Sequence, residues 1–342
     1  MKIGLASYDR QPNETIRLGI MAEKTGLDSF WVSDHLTDFQ GPKIDPWTTF
    51  GAIARETQRL FMGSWVTDAQ RCHPAKLAQI LATLSHISNS RVALGIGAGE
   101  AMNTVPFGLP FRDPESRIAQ LSEALQVMRL LWASTSEQPV SFDGRFFKLQ
   151  DAWLNLRARG KIPVYLGIFG SRKGLELVGK QGDGWLAWIN SPETFRLRSG
   201  IIRRAMKEAG RTPHALDFVA PIYTCLSNDR RRISQALKAI KRTLVRERYA
   251  LRLMGFQLPH TGKTFQNTLA TESEKTASSQ AYAEIPEDVA LRFLACGSAS
   301  SWIERVEEFK SAGATHVIIL FLDHVEEQLK MIASSMPVSL RA

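Results

Sequence analysis

Residues 92–103, VALGIGAGEAMN, run an apolar strand into a glycine-dense turn, and a carboxylate and a carboxamide follow at once. Gly95, Gly97 and Gly99 let a backbone approach a flat or anionic ligand closely. Glu100 and Asn103 then stand where a strand's C-terminal end opens onto a pocket, the place where α/β enzymes put their chemistry. Three further stretches join functional side chains to the end of an apolar run. Ser33-Asp34-His35 sets an acid beside an imidazole. Such a pair fixes a ring, binds a polar cofactor edge or shuttles a proton; its plain alternative is a helix cap or a surface-loop histidine. Gly63-Ser64-Trp65-Val66-Thr67 suggests a bulge or unusual peptide beside a ligand, or else a simple strand with a buried tryptophan. Gly167-Ile168-Phe169-Gly170-Ser171-Arg172-Lys173 opens a helix with free N–H groups and cations, which is a phosphate cradle or an ordinary turn. Asp9 is a lone carboxylate after the first apolar run, by default a turn residue.

The elements that must position these groups alternate along the chain. Strands are expected over 2–7, 29–34, 60–67, 91–97, 163–169, 184–189, 217–227 and 315–322. Helical patterns separate them, among them 13–26, 45–58 with Asp45 as cap and Pro46 in the first turn, 74–88, 114–133, 171–182, 192–209 and a basic helix running to about 254. Residues 140–149 alternate around Asp143-Gly144 and predict a hairpin. Eight strands joined through helices imply parallel neighbours, and eight units suggest a closed (β/α)8 barrel, an α/β TIM barrel with insertions. No Gly/Pro/Ser-rich linker divides residues 1–342, so a single domain is expected. Residues 257–285 are polar and break the alternation; they form a lid over the barrel mouth or a disordered insertion.

Composition narrows the function classes. The 342 residues are 44% hydrophobic and 23% charged, with no apolar run long enough to span a membrane and no secretion signal in MKIGLASYDR. Cys72, Cys225 and Cys296 lack CxxC spacing, and the seven histidines lack metal-ligand spacing, so neither a disulfide framework nor a metal site is expected. The natural setting is the cytoplasm. A net charge of +9 fits an anionic partner. The basic run from Arg230 to Arg248 (Arg231, Arg232, Lys238, Lys241, Arg242 and Arg246 between) reads as a solvated helix face, and no nucleic-acid-binding signature accompanies it. A small-molecule ligand with an anionic cofactor is therefore favoured over nucleic acid or membrane.

The four strand ends, in this order, resemble the bacterial-luciferase-like superfamily of flavin and deazaflavin barrels. The marks are FWVSDH (30–35), RCHPAKLAQILATL (71–84), RVALGIGAGEAMN (91–103), the FDGRFFKL hairpin with Ala152, and PVYLGIFG through GDGW (163–185). The similarity covers essentially the whole chain and weakens between 215 and 298. Together they look most like the branch that uses coenzyme F420, an 8-hydroxy-5-deazaflavin with a phosphate and an acidic glutamyl tail. That branch includes F420-dependent alcohol and glucose-6-phosphate dehydrogenases and methylenetetrahydromethanopterin reductases.

The resemblance implies roles for particular positions. Asp34 would contact the deazaflavin ring. His35 would face the substrate and exchange a proton with it, and Glu100 would be a second acid/base at the opposite edge of the ring. The Ser64–Trp65 peptide would be the family's non-proline cis bond. Thr67, Ala98, Gly99 and Asn103 would line the ring's polar edge, and Gly167, Ile168, Phe169 and Gly170 would hold the phosphate. Asp9 and Phe39 would border the substrate. Three departures bear on substrate choice: Phe39 stands where some dehydrogenases keep a tryptophan, Ser191 where one relative keeps a phosphate-binding lysine, and Gly-Ala-Gly-Glu where the methanopterin reductases keep Gly-Pro-Gly-Asp. The implied activity is hydride transfer between F420 and a small carbon substrate, an alcohol/ketone couple or a methylene-tetrahydromethanopterin. The alternatives are an FMN-dependent luciferase-like monooxygenase and a non-catalytic flavin- or deazaflavin-binding protein. By analogy the chain would be a homodimer.

Overall fold

The structure, a computed structural model, describes residues 1–39, 41–212, 214–258 and 263–336. Eight parallel strands close on themselves: β1 (Lys2–Ser7), β2 (Ser29–Val32), β3 (Phe61–Ser64), β5 (Val92–Gly97), β8 (Val164–Gly167), β9 (Gly184–Leu186), β10 (Asp217–Cys225) and β12 (His316–Phe321), with β12 returning to β1. A two-residue strand, β4 (Thr67–Asp68), extends the third position along β5. The predicted hairpin forms outside the barrel as β6 (Val140–Asp143) and β7 (Lys148–Ala152).

Strand residues alternate between two cores, as a barrel with covered outer surface requires. Leu5, Phe30, Met62, Leu94 and Leu166 point outward against the helices. Ala6, Trp31, Ala93, Tyr165, Leu186 and Ile318 fill the lumen. The lumen is tight. A Cβ at Gly63 would lie 2.3 Å from Trp31, and one at Gly95 would lie 1.7 Å from the Ser64 carbonyl. Gly95 therefore serves the packing of neighbouring strands, where the sequence suggested approach to a ligand.

The surrounding helices are α1 (Pro12–Lys24), α2 (Pro46–Glu56), α3 (Pro74–Ile87), α4 (Pro114–Ala133), α5 (Arg172–Gln181), α6 (Pro192–Glu208), α7 (Arg230–Arg246), α8 (Arg248–Leu253), α9 (Glu272–Ala281), α10 (Glu287–Leu291), α11 (Ala299–Ser311) and α12 (Val325–Ser335). Five of the first six begin with proline, whose missing N–H would be unpaired there in any case. Asp45, Asp113 and Ser171 cap α2, α4 and α5 by accepting from backbone N–H groups.

The longest departure from the expected pattern lies between β10 and α11. The basic helix does not run to 254; it breaks at Glu247, whose carboxylate is drawn to the buried Arg198 of α6. A strand absent from the expected set, β11 (Leu294–Cys296), pairs with the upper end of β10. Of residues 257–285, positions 259–262 lie outside the described residues. The described part holds a helical turn at Phe265–Asn267 and α9, and Phe265 packs on Trp188 and Phe169 with ring centroids 4.6 and 5.9 Å apart.

Candidate active site

The C-terminal ends of the barrel strands surround one cavity of about 960 Å³. Twelve of the fifteen expected site residues line it: Asp9, His35, Phe39, Trp65, Thr67, Ala98, Gly99, Glu100, Gly167, Ile168, Phe169 and Gly170. Asp34, Ser64 and Asn103 do not. Asn103 and Asp34 each bond to a residue that does, and Ser64 bonds to the backbone of Gly95.

His35 and Glu100 form the centre. Gly99 adopts a left-handed φ of +79°, a conformation that suits glycine, and the turn brings Glu100 back toward the loop after β2. His35 Nδ1 lies 2.7 Å from Glu100 Oε1, with both side chains about one-eighth exposed. The sequence placed these groups at opposite edges of a ring with separate proton tasks; instead they make one hydrogen-bonded pair. Asn103, fully buried, explains why. Its Oδ1 accepts from the N–H groups of Leu36 and Thr37 at 2.5 and 2.9 Å, which fixes the amide so that Nδ2 faces the pair. Nδ2 lies 2.6 Å from Glu100 Oε1 and 2.9 Å from His35 Nδ1. When Nδ1 carries a proton it donates to Glu100; when it does not, it can accept from Asn103. The ring is held in either state, and among the described residues Nε2 has no protein partner. Burial alone would lower the His35 pKa, but the Glu100 charge and hydrogen bond outweigh it, so the imidazole is raised above its ordinary value.

Behind this pair lies a second charged group that the sequence reading did not assign. Arg71, at the start of the quoted 71–84 stretch, binds Asp68 Oδ2 through Nε at 2.6 Å and Asp34 Oδ1 through Nη1 at 3.2 Å. Burial works against this guanidinium, but Asp68 and then Asp34 outweigh it and hold it charged. Asp34 therefore pairs with Arg71, and Arg71 itself faces the cavity. The only sequence signal for Arg71 was its place just before the His73-Pro74 helix start.

The wall beneath is β3. Ser64 remains in the ladder opposite Val32, and its hydroxyl donates to the Gly95 carbonyl at 2.7 Å. The Trp65 N–H still reaches the Val32 carbonyl at 2.8 Å, so the strand stays regular through the Ser64–Trp65 bond. The non-proline cis peptide is the next one, Trp65–Val66. This moves the expected position by one residue and leaves Trp65 and Thr67, but not Ser64, on the cavity. Tyr8 packs on Trp65, ring centroids 6.2 Å apart, and burial raises its phenol well above the ordinary value, so it stays a neutral donor.

Another part of the cavity wall holds Asp9 and Phe39 beside a buried cation. Lys43 is ion-paired with Asp9 and lies 3.6 Å from Asp38. Arg246, from the last turn of α7, stacks 3.8 Å above the Phe39 ring. The far end of the cavity is formed by the Gly167–Ser171 turn that opens α5, capped by Ser171. Arg248, Tyr249 and Arg252 of α8 stand beside it. Arg246 and Arg248 thus leave the solvated face that the basic run suggested and join the cavity wall; Arg242 also borders it, at the exposed rim. Ser191, the position without the phosphate-binding lysine, is buried and caps α6. Among the described residues, no three His, Cys, Asp or Glu side chains are grouped to hold a metal, and no helix is long and apolar enough to cross a membrane.

Comparison with known proteins gives consistent neighbours. The family model described as luciferase-like monooxygenase matches residues 2–316. The F420-dependent glucose-6-phosphate dehydrogenase of Microbacterium testaceum is 27% identical over 333 residues, 93% of this chain and 90% of that one. The enzyme of the same name from Kineococcus radiotolerans is 32% identical over 241 residues, 67% of this chain and 69% of that one. A solved F420-dependent secondary alcohol dehydrogenase, in complex with an F420–acetone adduct, superposes with a TM-score of 0.82 at 26% identity, covering 100% of this chain and 99% of that one.

Proposed function

The chain belongs to the luciferase-like monooxygenase family, and from that premise we propose that it is an F420-dependent oxidoreductase that moves a hydride between the deazaflavin and an alcohol/ketone carbon. The observation that carries the reading is the His35–Glu100–Asn103 cluster at the cavity wall, next to Trp65 and Thr67. The names of the relatives favour F420 over FMN. The residues suit such a cofactor: an aromatic and peptide wall for a planar ring, and at the other end the α5 N-terminus for a phosphate.

When bound, the deazaflavin supplies a carbon that accepts or gives a hydride. The chain's own residues do the remaining work. His35 Nε2 is the open ring nitrogen. In carbonyl reduction the protonated imidazole gives its proton to the forming alkoxide; in alcohol oxidation the neutral imidazole takes the hydroxyl proton. Glu100 stabilises the imidazolium, and Asn103 holds the ring's orientation through the cycle. Arg71 adds a fixed positive charge at the same wall. Trp65, Phe169, Trp188 and Phe265 exclude water from the cavity.

A methylene-tetrahydromethanopterin substrate is the second form of this reading, since it also takes a hydride at carbon, with the proton going to the nitrogen released as the C–N bond breaks. A sugar phosphate is a third, motivated by the names of the curated relatives; the buried Ser191 in place of a lysine counts against it. The same reading takes residues 1–342 as one barrel domain with 257–285 as its lid, acting in the cytoplasm as a homodimer. Fluorescence titration with F420, followed by its reduction with a secondary alcohol, with methylene-tetrahydromethanopterin's reduced partner and with glucose 6-phosphate, tests the proposal. Tight F420 binding with turnover on the alcohol is expected. Absence of F420 binding, or oxygen uptake with reduced FMN, would overturn it.

A further inference from the structure

α8 carries Arg248 and Arg252 one helical turn apart, with Tyr249 between them, and all three face the cavity that holds His35. Three arginines at this wall are satisfied by the protein. Arg71 has Asp34 and Asp68, Arg172 has Glu176, and Arg117 donates to the Gly99 carbonyl at 2.7 Å. Arg248 and Arg252 differ. Arg248 gives its Nε–H to the Val245 carbonyl at 3.2 Å, and among the described residues neither guanidinium meets a carboxylate. Burial, and then the charge of Arg252, push the Arg248 pKa down. Like charges four residues apart weaken a helix unless something of opposite sign lies between them.

Their place is specific. A Cβ on Gly170 would lie 2.4 Å from Tyr249 Cδ1, so Tyr249 packs directly against the turn that opens α5. Arg248 and Arg252, on either side of Tyr249 in the chain, therefore stand next to the expected phosphate position. The joint that puts them there is held from beneath. Glu247, at the break between α7 and α8, is ion-paired with Arg198, which is fully buried on α6. Arg198 also donates to Asn190 Oδ1 at 2.9 Å, and its guanidinium lies 5.1 Å from the Tyr249 ring centroid. A buried ion pair of this kind is better evidence for a fixed arrangement than for stability.

The geometry points to Arg248 and Arg252 as an anion station separate from the α5 turn, receiving the glutamyl carboxylates that follow the cofactor's phosphate. This rests on the F420 reading above. It predicts that the chain discriminates between forms of the cofactor by tail, a property the α5 turn alone cannot give.

Equilibrium fluorescence titration of the full chain tests it with three ligands: F420 with its glutamyl tail, the same compound trimmed back to the phosphate-bearing stem, and bare 8-hydroxy-5-deazaflavin. The wild type is expected to bind the tailed form roughly tenfold or more tighter than the trimmed one, the worth of a charge-assisted contact. The Arg248→Gln/Arg252→Gln variant should lose that preference and its salt dependence, yet bind the trimmed and bare forms as the wild type does. No tail preference in the wild type would overturn the proposal, as would equal loss for bare deazaflavin, or a weakened response to glucose 6-phosphate with tail preference intact. A wild type that binds none of the three would remove the F420 reading, and this proposal with it.

Discussion

The barrel buries one histidine at its floor and one at its mouth, and the two are opposites. His316 begins β12 near the N-terminal ends of the strands. Its Nε2 meets the Ser29 hydroxyl at 2.8 Å, and the same oxygen accepts from Trp31 Nε1 at 2.9 Å. Burial pushes this imidazole down to about 4, although Asp217 pulls the other way. His35 is also deeply placed, yet Glu100 at 2.7 Å raises it. Burial is common to both; the direct partner decides the direction. A neutral hydroxyl makes a structural histidine, and a carboxylate within hydrogen-bond distance makes one that holds its proton more tightly than a free imidazole. The floor is closed by Tyr165, whose hydroxyl donates to Asp217 at 2.9 Å, whereas His35 lines a cavity.

The largest effect should come from removing the mouth histidine. His35→Ala is expected to reduce turnover by roughly 100- to 10,000-fold, the range for general acid–base catalysis, with F420 affinity retained. Steady-state kinetics beside fluorescence titration check this. Unchanged turnover would assign His35 to the floor's kind of histidine.

Next is the pH dependence of stability, where the two should have opposite slopes. His316 folds with its pKa lowered to about 4. Its contribution is complete above the unfolded value of about 6.5 and fades as the pH falls toward 4, a loss on the order of 3 kcal/mol. His35 is raised, so its contribution is present below the unfolded value and fades as the pH rises through the folded one. Denaturant unfolding at several pH values, for the wild type and His316→Asn, should show the acid-side loss shrinking in the variant. An unaltered acid limb would contradict the assignment for the floor.

A smaller effect is expected for Asn103→Ala. It leaves the Leu36 and Thr37 N–H groups without their acceptor, at a cost of about 1–3 kcal/mol in stability. Turnover should fall about tenfold as His35 loses its support, with less change in substrate KM. A KM effect alone would mean that Asn103 contacts substrate.

The same contrast shows what was legible in the chain. Alternation of apolar runs with helical patterns exposed the eight barrel strands, because strand ladders and amphipathic helices leave their periods in the sequence. β11 was not visible: three residues, Leu294–Cys296, carry no period, and only the end of β10 makes them a strand. The break at Glu247 was hidden for a similar reason, since its partner Arg198 is 49 residues away. At the site, the GAGEAMN turn and the SDH triplet lie at strand ends that border the cavity. Their mutual geometry was not readable, so His35 and Glu100 seemed to be separate tools. The Asp34–Arg71 pairing was hidden because the two lie 37 residues apart. Arg246 and Arg248 looked like solvent-facing charge, because a helix's buried side depends on what packs above it.

The most direct test of the imidazole–carboxylate pair is an NMR titration of the histidine ring protons in the wild type and in Glu100→Gln, alongside the pH profile of kcat/KM. The account predicts that His35 titrates above its ordinary value in the wild type and drops in the variant, that the kinetic limb moves with it, and that His316 stays where it was. A His35 that titrates at the same pH with and without the Glu100 carboxylate would contradict it.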